Sequence, residues 1–124
     1  MVFGTFDVLH EGHLNFFEQA KELGDFLVVV IARNVNIERI KGHLPKHDEK
    51  ERLTVVQQAP IVDGAVLGHI DDPYQIIREE DPDIIALGYD QDSYDKGLKV
   101  HFPDKTIVRL KSYKPEIYKS SLLK

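Results

Sequence analysis

The stretch Phe26-Leu-Val-Val-Val-Ile-Ala32 limits the folds open to this chain more than any other. It is continuous rather than alternating and rich in β-branched residues, which suits a strand buried on both faces of a parallel sheet. Ile84-Ile-Ala-Leu87 has the same character, Gly64-Ala-Val-Leu67 is a shorter relative of it, and Thr106-Ile-Val-Arg-Leu110 alternates. Helical patterns separate these runs. Leu14, Phe17, Ala20, Lys21 and Leu23 fall close to a helical period that Gly24 ends. Asp48–Ala59 reads as a helix with Asp48 as N-cap, Glu51 at the capping-box position and Leu53, Val55 and Val56 as its apolar content, and Pro60 and Gly64 bracket its end. Asp72-Pro73 opens another helix to about Glu80. With a first strand at Met1–Phe3, the order β-α-β-α-β-α-β predicts a Rossmann-like three-layer α/β/α sandwich, a single domain over residues 1–124. Phe16 and Phe17 are expected to pack the first helix and Phe26 its sheet.

Composition narrows the function classes. A hydrophobic content of 42% in 124 residues is enough for a real core. The net charge of −5, without a long basic tract, argues against a nucleic-acid partner. With no cysteine there are no disulfides, thiolate zinc sites or cysteine nucleophiles, and no metal-ligand cluster stands out in the sequence. The longest apolar run is far too short to span a bilayer and no leader pattern is visible, so a cytoplasmic location without a membrane partner is the expectation. A homodimer stays open. Both ends read as trimmed, because a final helix is cut off after Lys124 and the first strand starts only at Met1.

Chemistry concentrates where the first strand meets the first helix, at His10-Glu11-Gly12-His13. Backbone N–H groups at a helix N-terminus lack intrahelical partners, and the helix dipole adds partial positive charge, so such a turn attracts phosphate. His10 and His13, three residues apart on a first turn, can touch one oligophosphate together. Gly4 would let the loop backbone come close to the same ligand.

The ten residues Gly4-Thr5-Phe6-Asp7-Val8-Leu9-His10-Glu11-Gly12-His13 resemble the signature of the HxGH nucleotidyltransferases, the cytidylyltransferase-like superfamily. Its members transfer a nucleoside monophosphate from a nucleoside triphosphate to an acceptor and release pyrophosphate. The resemblance implies nucleotide contacts from Gly4, Thr5, Phe6, His10 and His13, with Asp7 and Gly12 in support. Sites in open parallel sheets lie beyond the carboxyl ends of the strands. One segment expected there, Arg33–Lys46, is a basic loop in an acidic chain, and Lys41-Gly42 sits where similar enzymes carry a lysine that reaches the α-phosphate. Arg52 matches an arginine that the superfamily often carries on the next helix, and it reads equally as an i,i+4 salt-bridge partner of Asp48 or Glu49.

A second segment, Gly88–Asp95, begins Gly88-Tyr89-Asp90-Gln91, where Gly88 and Asp90 can turn toward a base or ribose, although Asp90 also suits an ordinary turn. Glycerol-3-phosphate and choline-phosphate cytidylyltransferases typically read Gly-Asp-Asp-Trp here. The version in this chain looks instead like that of archaeal FAD synthases of the HxGH type, which adenylylate FMN. Near the end, Ser120 and Ser121 match a Ser/Thr pair that holds the β- and γ-phosphates at a helix N-terminus, without the Arg-Thr-x-Gly-Ile-Ser-Thr string of cytidylyltransferases. Tyr89, Tyr94, Tyr113 and Tyr118 lie on segments where a flat isoalloxazine could stack.

The resemblance therefore implies ATP and FMN as substrates, with CTP and glycerol 3-phosphate as the alternative pair and a non-catalytic nucleotide-binding domain as a third reading. His10, His13 and Lys41 would be the catalytic residues. Mg²⁺ or another divalent cation would ride on the triphosphate, whose oxygens it prefers to an all-protein cage.

Overall fold

The computed structural model describes residues 1–72, 74–88 and 92–110, with only the backbone path for 92–96. The described strands are β1 (Val2–Gly4), β2 (Val28–Ile31), β3 (Gly64–Leu67), β4 (Ile84–Leu87) and β5 (Thr106–Arg109), and every ladder between them is parallel. The described helices are α1 (Glu11–Glu22), α2 (Asn34–Lys41), α3 (Glu49–Gln57), α4 (Gln75–Glu80) and α5 (Asp92–His101).

β2 pairs on one side with β1, Val29 opposite Val2, and on the other with β3, Val29 opposite Ala65. β4 pairs with β5, Ile85 opposite Ile107. Met1 stitches the two ladders together: its amino nitrogen donates to the Ile84 carbonyl at 2.9 Å, and the Ala86 N–H donates to the Met1 carbonyl at 2.9 Å. The resulting order is β3-β2-β1-β4-β5. It reverses direction between β1 and β4, and in sheets of this kind the crevice at the carboxyl ends of those two strands receives ligands.

Alternation along β2 shows why its sequence is apolar throughout. Val29 and Ile31 join one core with Phe17 of α1 and Val56 of α3. Val30, between them, joins the other core with Ile76 and Ile77 of α4 and Leu98 of α5. Helices thus cover both faces of the sheet, the expected Rossmann-like three-layer arrangement.

Several local expectations change. Phe26 is 67% exposed and precedes the strand, because parallel pairing starts only at Val28 opposite Gly64. Before that point Leu27 is held by Asp63, whose carboxylate accepts from the Leu27 N–H at 2.7 Å. The basic segment after β2 is not a loop but largely α2. Ile37 is buried beneath it, and Gly42 ends it in the left-handed region at φ 81°, donating its N–H to Glu38 O at 2.8 Å. Likewise Gly88–Asp95 runs into α5 from Asp92. Leu14 and Val55 sit on exposed faces of α1 and α3, although Phe17 and Val56 are fully buried. Asp48 caps α3 as expected, accepting from the Glu49 N–H at 2.7 Å. No described helix is long and apolar enough to cross a membrane.

Candidate active site

The turn after β1 is shaped by Phe6. Its φ of 51° is unusual for a residue with a Cβ, and this conformation folds the ring back over Gly4. A Cβ on Gly4 would lie 2.5 Å from Phe6 Cζ, so only glycine leaves the ring its place. The ring then packs 5.2 Å from Phe17 and edge-on to His13 at 5.3 Å. Phe6 is therefore a buried wall behind an imidazole, and Gly4 makes room for that wall.

His10 is the N-cap of α1, not a member of its first turn. Its backbone is extended, and its Nδ1 accepts from the Gly12 N–H at 3.0 Å while its carbonyl accepts the first helical bond from the Leu14 N–H. His13 lies one turn along, and the two rings stack at 3.9 Å with 25° between their planes. Burial pushes the His13 pKa down to about 4, the neighbouring His10 adds to the effect and a hydrogen bond with the Val8 backbone opposes it. Burial lowers the His10 pKa as well. Both shifts favour the neutral ring. Because the Gly12 N–H occupies Nδ1, neutral His10 carries its proton on Nε2 and can donate from there. His13 Nδ1 is buried and finds no hydrogen-bond partner among the described residues.

A polar clamp holds this turn to the start of α2 and of α3. Arg52, on α3, is 1% exposed. Its Nη1 donates to Thr5 O at 2.8 Å, its Nη2 to Asn34 Oδ1 at 2.7 Å and its Nε to His47 O at 3.1 Å. Arg52 thus reaches inward instead of pairing along its own helix. Burial draws its pKa below the usual guanidinium value, while the charges of Asp7, Glu49 and Asp48 work the other way. Asn34 also donates its N–H to Glu49 Oε1 and its Nδ2 to Asp48 Oδ1, both at 2.9 Å, and Arg33 Nε donates to Glu49 Oε2 at 2.9 Å.

Asp7 faces the same segment. Its two oxygens accept from the Lys46 N–H at 2.7 Å and the His47 N–H at 2.8 Å, and the His47 ring stands 3.1 Å away. Burial opposes its charge, but these hydrogen bonds outweigh it and hold the carboxyl below its ordinary pKa.

Among the residues singled out in the sequence, the structure brings Gly4, Thr5, Phe6, Asp7, His10, Gly12, His13 and Arg52 together. Gly88 is buried directly after β4, across the switch point from the motif turn. Lys41 is the exposed last residue of α2, and its Nζ makes no hydrogen bond or ion pair with a described residue. Tyr89, Asp90, Gln91, Tyr113, Tyr118, Ser120 and Ser121 lie outside the described residues, as does the Tyr94 side chain. Among the described residues no three or more histidine, aspartate and glutamate side chains form a metal-ligand group. Sequence reasoning misses Asn34 and His47, and it names Glu49 only as a pairing partner of Arg52. Asn34 had a usable signal, a polar side chain just beyond a fully buried strand, whereas nothing local marks His47.

Comparison with known proteins agrees with this geometry. A cytidylyltransferase-like family model matches residues 1–121. The FAD synthase of Aciduliprofundum boonei is 45% identical over 117 residues, covering 91% of this chain and 78% of the relative. That of Thermoplasma acidophilum is 40% identical over 128 residues, covering 100% and 89%. A crystal structure of the lipopolysaccharide core biosynthesis protein from Thermoplasma volcanium matches with a TM-score of 0.85 at 40% identity, covering 92% of this chain and 96% of that one. The family match takes in the motif turn, the clamp and the strands on both sides of the switch point, and on that breadth this chain belongs to the cytidylyltransferase-like family.

Proposed function

We propose that this chain is an FAD synthase, transferring AMP from ATP to the phosphate of FMN and releasing pyrophosphate. The observation that carries the substrate reading is the 40–45% identity to archaeal FAD synthases over nearly the whole chain. The stacked histidine pair supports the chemistry. A phosphate oxygen of FMN attacks the α-phosphorus of ATP in line, a new P–O bond forms, and the bond to the bridging oxygen breaks with its electron pair leaving on pyrophosphate. The protein's share is positioning and stabilisation of developing charge.

His10, donating from Nε2, meets the oxygens on which charge grows, and His13, whose protonated form the bound anion favours, adds a second donor beside it. The wall made by Phe6 keeps His13 from turning away. Burial strengthens these contacts by lowering the local dielectric. Lys41 is assigned to the α-phosphate, Asp90 and Gly88 to the base or ribose, and Ser120 and Ser121 to the triphosphate tail. Asp7 is engaged by Lys46 and His47, a donor set that fits a loop anchor rather than a metal ligand. Mg²⁺ or a similar cation would be held chiefly by the triphosphate, where it neutralises charge and orients the phosphates. A cytoplasmic location is part of the same reading.

Incubation with ATP, Mg²⁺ and FMN should yield FAD and pyrophosphate by chromatography, and riboflavin, which lacks the attacking phosphate, should be inert. Robust CDP-glycerol formation from CTP and glycerol 3-phosphate, with no flavin turnover, would overturn the substrate assignment. Nucleotide binding without turnover of either pair would make the chain a binding domain.

A further inference from the structure

We propose that Lys46 is a nucleotide-phosphate ligand of this enzyme, brought to the histidine turn by Asp7 and directed at the β- or γ-phosphate. The inference rests on the nucleotidyltransferase reading of that turn. Lys41, the lysine that the motif pattern favours, ends α2 just before the left-handed turn at Gly42, and no described residue holds it. Lys46 is tethered. Its N–H lies 2.7 Å from one Asp7 oxygen, the following N–H lies 2.8 Å from the other, and Asp7 is three residues before His10 in the same turn. Arg52 fixes the other edge of the segment by donating to both His47 O and Thr5 O. The backbone of residues 46 and 47 is thus tied to the motif from two sides.

Among the described residues no carboxylate pairs with the ammonium. Both Asp7 oxygens accept backbone N–H groups, Glu49 is taken by Arg33 and Asn34, and Asp48 caps α3. Lys46 Nζ, on a flexible four-carbon stem, forms no hydrogen bond or ion pair with a described residue. An exposed cation whose backbone is anchored beside the N-terminus of α1 has an oligophosphate as its complementary partner. Asp7 is then a positioning residue that acts through Lys46.

The test uses the whole chain and reads ATP·Mg²⁺ binding by calorimetry without FMN, so that it does not depend on the acceptor. Lys46→Ala should raise the ATP Kd by about tenfold, the scale of one charge-assisted contact. AMP affinity should not change, and Lys50→Ala, an exposed lysine on α3, should leave ATP affinity as in wild type. Asp7→Asn should weaken ATP binding similarly, and the Asp7→Asn/Lys46→Ala pair should lose little beyond Lys46→Ala. Wild-type ATP affinity in Lys46→Ala, or equal losses for AMP and ATP, would overturn the assignment. Additive losses in the pair would overturn the positioning role of Asp7. Should Asp7→Asn not fold, the exposed Lys46 site still decides the assignment through Lys46→Ala and Lys46→Arg, the latter expected to keep most of the affinity. If wild type binds ATP but makes no FAD, the acceptor assignment fails while the Lys46 test stands.

Discussion

The two ends of the sheet handle their polar residues in opposite ways. At the amino ends of β4 and β5 lies an open hollow of about 460 Å³, lined by Asp81, Asp83, His101, Phe102, Lys105 and neighbouring residues. Its carboxylates Asp81 and Asp83 face water, and Lys105 Nζ is satisfied by Asp81 and the Pro82 carbonyl, each at 2.7 Å. At the carboxyl ends of β1 and β2 exposed lysines remain, but the groups that shape the motif turn are withdrawn. Arg52 is buried and donates to three neutral oxygens, and His13 sits against Phe6 with one ring nitrogen lacking a partner among the described residues. Concavity alone therefore says little about chemistry here. Charge stabilisation is strongest where donors are desolvated and held before the ligand arrives, and that describes the motif end.

The largest expected contrast is catalytic. His13→Ala or His10→Ala should lower kcat on the order of 10²-fold or more, with a smaller effect on ATP KM, because the demand for donors peaks in the transition state. Steady-state FAD formation measures this, and near-normal turnover in both variants would remove the histidines from the mechanism.

Next comes stability. Arg52→Met strands the oxygens of Thr5, Asn34 and His47 and should cost about 2 kcal/mol or more. Arg78→Ala, which removes an exposed pair with Asp72, should cost far less. Denaturant melts compare the two, and equal costs would erase the distinction between buried clamp and surface pair.

A pH series sharpens the same contrast. The folded pKa of His13, about 4, lies below its ordinary 6.5, so the unfolded chain takes up the proton first. Its contribution to stability is complete above about pH 6.5 and is lost as pH falls toward 4. Unfolding midpoints should therefore drop across that window, and His13→Gln should flatten the drop. Asp7, with its pKa held below the ordinary 3.8, acts in the same direction only in stronger acid. An unchanged slope in His13→Gln would mean that His13 is not buried as a neutral ring.

The smallest effect belongs to the hollow. His101 lies against the Tyr74 ring at 4.4 Å but touches no part of the motif turn, so His101→Ala should leave kcat and ATP KM within about twofold of wild type. A loss comparable to that of His13→Ala would show that the open end serves the reaction and would break the comparison.

The sequence by itself determined the elements whose causes are local. β2 is legible because burial on both faces demands apolar residues at every position, and the cap at Asp48 is legible because a carboxylate there meets the free N–H groups of α3. The histidine turn is legible because its anion-binding groups all come from one strand–helix junction. Even there, reading His10 as part of the helix missed the Gly12 N–H that sets its tautomer. Segment character was less legible. The charges of α2 suggested a loop, although Ile37 and the Gly42 cap make it a helix.

Tertiary structure alone decided the clamp. Arg52 looks, by helical spacing, like a surface partner for Asp48, yet its guanidinium bonds to an oxygen 47 residues away in the motif turn. Asp7 likewise selects residues 39 and 40 positions distant. Helical spacing and capping rules reach only across a turn or so. Which distant segments meet at the motif depends on the strand order β3-β2-β1-β4-β5, which sets the ends of β1 and β2 side by side and buries Arg52 between the segments that leave them.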